Sequence, residues 1–359
     1  MRKMSLEEFN TMPVRAAVSR NAIPPMCTML LFLVYNLADT FFIGMTHDPL
    51  QLAAISLTTP LFTMFSAISN IFGMGGTSVI SRAMGEKRTE YSKRVSSFCM
   101  WTATAIGVIL AAILFIFAKP ILNVLGASQD TLQLAYSYLA IVAFSGPFSM
   151  ISGTFSKILT SEGQPKKAMI GISAGNLLNI ILDPIFILGF HWDVAGAALA
   201  TLISNVVAAG YYLWYFLSRQ SSLSIRVKDY SIKDKICSSV LAIGIPAALG
   251  SMIMGISVMV VNSLMSGYGD MALAGSGVAT KVTMVTGMLC IGFGQGIQPL
   301  LGYCVGAKDW KRYKETFRFS LLFSFIISVI MTGLCYIFTG QIVGAFLTDS
   351  NAYDYAFGF

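Results

Sequence analysis

Two aspartates stand alone in apolar runs. Asp183 is the only charged residue between Ile170 and Phe190, and Asp39 lies in VYNLADTFF, which holds no other charge. A charge at the centre of a spanning helix costs about 2.5–3.5 kcal/mol on insertion scales, so a carboxyl kept there is a candidate for binding and releasing a cation. The plainer alternative is a carboxyl hydrogen-bonded for packing. Around Asp183 the spacing is informative. Asn176, Asn179 and Asp183 stand at i, i+3 and i+7 and share one helix face. Pro184 follows, which removes one backbone hydrogen bond and frees the carbonyl of Ile180. An amide, a carboxylate and a freed carbonyl near one kink resemble the oxygen-rich surroundings of a hard cation or a proton site. Thr201, in ALATLIS, adds a hydroxyl, and Asp39 has Tyr35 and Asn36 one turn before it.

These residues need apolar elements to hold them, and the chain is made of such elements. Of its 359 residues 55% are hydrophobic and 11% charged, and the mean hydropathy is +0.70. A soluble domain carries about a quarter charged residues, so this composition marks an all-α, multi-pass integral membrane protein. Stretches of spanning length are expected at 22–44, 53–81, 95–118, 132–156, 168–190, 195–217, 237–266, 272–303 and 317–339, with a tenth starting near 352 and cut off at Phe359. The polar stretch from Met1 to Arg20 reads as a surface helix rather than a cleavable signal.

Charge gives the orientation. Of the 24 Lys and Arg residues, 22 fall in the N-terminus or in the loops after spans two, four, six and eight, including Lys157, Lys166 and Lys167 after span four; only Lys119 and Lys281 lie elsewhere. The positive-inside rule makes those loops and the N-terminus cytoplasmic. It also explains the net charge of +7 without nucleic acid as a partner. The six cysteines show no CxxC or metal spacing and read as small packing residues.

The longest polar connection divides the chain into a six-span lobe (1–217), a cytoplasmic linker (218–236) and an incomplete second lobe (237–359). The two parts look related. At an offset of 221, residues 73–121 match residues 294–342 at 12 of 49 positions, among them Gly73/Gly294, Gly75/Gly296, Gly85/Gly306, Lys87/Lys308 and Lys93/Lys314. Parallel repeats about an axis along the membrane normal are a known transporter plan. The second part has no counterpart to Asp39, since the matching position is near Val261. It offers Asn262, Gln295 and Gln298, which line a cavity or bond between helices. Lys281 is expected to snorkel outward. Met252, Met254, Met284 and Met288 either pack or soften a cavity. The GxxxG pairs Gly171/Gly175 and Gly292/Gly296 mark close helix contacts rather than a phosphate loop.

Three stretches carry a family resemblance. TSEGQPKKAMIG (160–171), GFGQGIQPLLGYCVGAKDWKRYKE (292–315) and ADTFFIG (38–44) resemble signatures of the multidrug and toxic compound extrusion (MATE) family. The resemblance implies two helical bundles around a central cleft that rock between inward-facing and outward-facing states. It implies export of lipophilic, often cationic drug-like molecules in exchange for H⁺ or Na⁺, with no other cofactor, by a monomer in the cytoplasmic membrane. It also assigns the coupling site to Asp39, Asn179, Asp183 and Thr201, which would hold Na⁺ if that is the ion. Tyr35, Asn36, Asn176, Asn262, Gln295 and Gln298 are the accessory cavity residues. Span seven lacks the acid that some members carry, and spans eleven and twelve are absent, which reads as a truncated frame. A flippase for lipid-linked saccharides would favour an intramembrane arginine, which is missing. An intramembrane aspartyl protease would need YD and GxGD pairings, but Asp39 follows Ala38 and Asp183 follows Leu182. A non-functional fragment is the remaining alternative.

Overall fold

The computed structural model describes residues 9, 11–45, 49–218, 220–268 and 270–341. Its helices are α1 (Val14–Gly44), α2 (Pro49–Gly85), α3 (Thr89–Ile116), α4 (Ala118–Val124), α5 (Gln129–Ser161), α6 (Pro165–Pro184), α7 (Asp193–Leu217), α8 (Ile236–Ser266), α9 (Asp270–Gly306) and α10 (Trp310–Ile337). Among the described residues there is no strand, and nine helices are long and apolar enough to cross a membrane. They correspond to the nine expected spans. The tenth, near 352, lies outside the described residues.

The start of the chain differs from expectation. Residues 14–20 are no separate surface helix but the first two turns of α1. The reason is packing: Ala17, Val18 and Ala22 bury themselves against Phe293, Leu300, Tyr303 and Cys304 of α9, while Arg15 and Arg20 stay exposed. All six cysteines are free thiols.

The repeat is visible in the helix lengths. α1 and α8 each have 31 residues and begin 222 positions apart. α2 and α9 each have 37, and α3 and α10 each have 28, both pairs offset by 221. The ends of α2 and α9 are built alike. Lys87 (φ 60°) and Lys308 (φ 57°) both take the left-handed conformation that closes a helix. Arg88 N–H donates to Ala83 O at 2.8 Å, and Asp309 N–H to Cys304 O at 3.0 Å.

Helices from the two parts of the chain meet at the end that carries the basic loops. There α1 lies on α9, and α2 on α8 and α9. The crossings are reciprocal. A methyl at Gly85 would strike the Tyr303 carbonyl, and one at Gly306 would strike that of Arg82. Gly292, likewise, leaves room only for Pro25 and Met26 of α1. Glycine lets backbones approach this closely, which in a bilayer drives association in place of the hydrophobic effect. At the opposite end the helices part. Residues 249–261 of α8 are exposed on every face, and Gly250, Gly255, Gly277 and Gly287 have no described atom within 4 Å of an added methyl. Among the described residues the helices of the two parts therefore pack backbone to backbone at the basic end and not at the other.

The polar connection before α8 is strapped down rather than free. Glu162 accepts from the Ser221 hydroxyl (2.7 Å), the Ser222 hydroxyl (2.8 Å) and the Ser222 backbone N–H. Ser96, Ser97 and Trp101 of α3 donate to the carbonyls of Ser224, Arg226 and Ile225. Leu223 and Ile225 join the main core.

Candidate functional site

Five side chains from four helices converge in the half of the molecule away from the basic loops. α1 brings Tyr35 and Asp39, α6 brings Asp183, α7 brings Thr201, and α5 adds Tyr138. Tyr35 interacts with the Thr201 side chain and lies within electrostatic reach of both aspartates. Tyr138 is close to Asp39, Tyr35 and Asp183, and Asp39 is close to Asp183.

Asn179 completes the set. With its nitrogen toward Asp183, its amide donates to Asp183 Oδ2 at 2.9 Å and accepts from the Thr201 backbone N–H at 3.1 Å. Turned over, its nitrogen meets only the Thr201 hydroxyl, at 3.4 Å. The first orientation satisfies both ends and suits an ionised carboxylate, which only accepts. Small residues make this reach possible. A methyl at Gly175 would stand 3.0 Å from the Ser204 carbonyl, so α6 and α7 run nearly backbone to backbone just before Asn179.

Three features set the cluster apart. Asn179 and Asp183 are buried at 1% and 0% exposure, yet Asp183 Oδ1 has no hydrogen-bond partner. The ion pairs among the described residues, Arg88–Glu86, Lys93–Glu90 and Arg94–Asp234, all lie at the basic end, so neither Asp39 nor Asp183 has a basic partner there. After Pro184 the helix widens into a π-type turn, Ile185–Gly189, a distortion common at functional sites. A small apolar cluster, Ile43, Ile187 and Ala197 with Tyr138 against it, covers the site on its outer side. Among the described residues, the polar atoms brought to the two carboxyls are oxygens and an amide nitrogen, which fits H⁺ or a hard cation such as Na⁺. Among the described residues no three His, Cys, Asp or Glu residues group as a transition-metal site.

The accessory residues separate. Tyr35 joins the cluster. Asn36 does not; it is exposed and donates to Phe32 O on its own helix at 2.7 Å, because it sits one residue, about 100° of helix, away from Tyr35. Asn176 turns inward with its nitrogen buried and unpartnered. The side chain of Asn262 lies outside the described residues. Gln295 and Gln298 face a different cavity near the basic end, where Gln298 donates to Met74 O at 3.2 Å. Lys157 shares that cavity: it belongs to α5 and not, as its place near the fourth loop suggests, to a cytoplasmic turn. Lys281 borders an apolar cavity of about 670 Å³ with Leu33, Leu37 and Val285. Met252, Met254 and Met284 are exposed. Tyr138 was the residue that sequence reasoning passed over. Its only signal is a phenol in the apolar run of span four.

The profile of the MatE family matches residues 24–185 and 246–359. The chain belongs to the MATE family. It is 33% identical over 356 residues to the multidrug export protein MepA of Staphylococcus aureus, an alignment covering 99% of this chain and 79% of that one. A solved structure titled "Crystal structure of MATE in complex with MaL6" superposes with a TM-score of 0.91 at 25% identity, over 96% of this chain and 78% of that chain. A second, titled as the outward-facing conformation of a multidrug resistance MATE family transporter, gives 0.91 at 24% identity, over 100% and 80%; that likeness is one of fold. Within this MATE chain the oxygen cluster is confined to α1, α5, α6 and α7, all of which precede the strapped connection.

Proposed function

We propose that this MATE chain is a secondary active multidrug exporter of the bacterial cytoplasmic membrane, antiporting lipophilic and cationic compounds against H⁺ or Na⁺ by alternating access. The observation that carries the reading is the pair Asp39 and Asp183: two carboxyls on separate helices, without a basic partner among the described residues, in a cluster of oxygen donors inside the membrane. Relatives named as multidrug exporters support the same reading.

The positive-inside rule puts the glycine-packed end and the N-terminus in the cytoplasm, so the end where the helices part faces outward. The six spanning helices before the strap would form one rocking body and the helices after it the other. A cation entering from outside reaches Asp39 and Asp183, and the Asn179 amide passes the change of charge from α6 to the backbone of α7. Loss of the carboxylate charges lets α1 and α6 repack over the site and expel the drug outward. One charge moved down about 100 mV supplies about 2.3 kcal/mol. The ion drives the cycle only if it binds the two states unequally. The protein acts as a monomer, with drug-like molecules and the bilayer as its partners.

Accumulation of a fluorescent dye in everted vesicles tests this, with Asp39→Asn and Asp183→Asn beside the parent. Gradient-driven accumulation is expected in the parent and lost in both variants; two variants that still respond to an imposed gradient would overturn the coupling.

A further inference from the structure

The strapped connection before α8 has an inner and an outer side. From Arg226 to Lys235 it reads RVKDYSIKDK, four basic residues and two acids. Both acids are engaged inward: Asp229 accepts from the Ser224 hydroxyl, and Asp234 pairs with Arg94 of α3 at 3.1 Å. Arg226, Lys228, Lys233 and Lys235 are exposed and form no ion pair among the described residues. Between them Val227 and Ile232 are 66% and 60% exposed, while Leu223 and Ile225, just before, turn into the core. Basic residues clustered beside a spanning helix, with apolar side chains among them, suit the boundary between headgroups and acyl chains.

The depth of the segment agrees. Val95 to Ile116 of α3 carries no charge. At about 1.5 Å per residue this stretch is about 33 Å long, close to the hydrocarbon core of about 30 Å. Ser96, Ser97 and Trp101, which bond the carbonyls of Ser224, Arg226 and Ile225, lie in its first two turns, so the connection crosses α3 at headgroup level. It crosses on the side turned to lipid. Trp101 heads a row of exposed residues at helical spacing, Ala105, Val108, Ala112 and Ile116.

The segment is also held in that place. The Tyr230 ring lies 6.0 Å from the Phe98 ring of α3, and the Asp234 carbonyl accepts from the Tyr91 hydroxyl at 3.4 Å. A surface already ordered against α3 loses little freedom on meeting a partner. Its charge and its bare apolar side chains match one partner, an anionic phospholipid, which offers a phosphodiester and an acyl chain together.

We propose that residues 226–235 dock on anionic phospholipids of the leaflet at the basic end, the four basic side chains meeting phosphates while Val227 and Ile232 enter the acyl boundary. Because this segment joins the two parts of the chain, docking ties their joint to the leaflet. The test uses the full chain with its six cysteines replaced by serine and Ile232→Cys labelled with the environment-sensitive dye NBD. It is placed in nanodiscs of phosphatidylcholine with rising fractions of phosphatidylglycerol. NBD emission is expected to shift to the blue, and to be quenched by nitroxide-labelled acyl chains, as phosphatidylglycerol rises. The shift reverses in about 1 M NaCl, where the screening length falls to about 3 Å. Lys228→Gln, Lys233→Gln and Lys235→Gln combined are expected to abolish it at fractions that saturate the parent, since each basic residue near an anionic surface is worth about fivefold in partitioning. The same three lysines changed to arginine keep it. The salt dependence of the parent keeps the test decisive should the triple glutamine variant misfold. Water-like emission in every lipid mixture overturns the proposal. So does a shift of equal size in phosphatidylcholine alone, or one indifferent to salt and to the glutamine substitutions. A shift produced by inorganic phosphate in phosphatidylcholine discs overturns it in favour of a site for free anions.

Discussion

Asn179 joins Asp183, one turn along its own helix, to the backbone of Thr201 on α7, with contacts of 2.9 and 3.1 Å. An amide has a donor on one side and an acceptor on the other, so it reports the charge of the carboxyl to the neighbouring helix. Asn179→Ala leaves the remaining Asp183 oxygen buried and unpaired, which costs about 1–3 kcal/mol. The expected result is dye accumulation in everted vesicles whose dependence on Na⁺ or on pH is displaced from the parent's, because the ionised carboxylate has lost a donor. An unchanged ion dependence would show that the amide only packs.

Tyr138 lies within electrostatic reach of both aspartates and packs against Ile43, Ile187 and Ala197. Tyr138→Phe keeps the ring and removes the hydroxyl. Thermal stability in detergent is expected to stay within a few degrees of the parent, while the ion dependence of efflux shifts. A loss of stability with unchanged coupling would reduce the phenol to a packing group.

The reciprocal contact of Gly85 and Gly306 closes the basic end. Gly306→Leu forces α9 away from Arg82 and favours the state open to the cytoplasm. Cys304, 1% exposed and part of the same crossing, is a built-in reporter. In a chain whose other five cysteines are replaced by serine, maleimide labelling of Cys304 is expected to be slow, and to rise about tenfold or more with Gly306→Leu, the change for a shift of about 1.4 kcal/mol. Equal labelling would mean that the crossing tolerates the side chain without opening.

Glu162 holds the strap by accepting from Ser221 and Ser222. Glu162→Ala removes an anionic acceptor from two serines and is expected to cost about 2 kcal/mol locally. Limited trypsin digestion reads the effect: faster cleavage at Arg226, Lys228 or Lys233, with the helices intact. A parent and variant cut at the same rate would place the hold in α3, through Ser96, Ser97 and Trp101.

Much of this protein is legible without coordinates. Apolar runs of spanning length declare themselves, because a bilayer requires about 20 such residues per crossing. The offset that pairs Lys87 with Lys308 in the sequence also pairs two left-handed helix ends, since the same termination chemistry recurs. Asp39 and Asp183 stand out because a lone charge is costly in apolar surroundings. Other residues gave no such signal. Periodicity places a residue on a face of its helix, but only packing decides what that face meets. So Tyr35 enters the cluster while Asn36, its neighbour, turns away, and Tyr138 joins from a helix distant in sequence. Gln295 and Gln298 line a cavity shared with Lys157 instead of joining the aspartates, and Lys157 itself moves from an expected loop to the wall of that cavity, on α5. The order of residues determined the membrane spans and the lone carboxyls; the crossing of glycine-lined backbones decided which polar groups share a space.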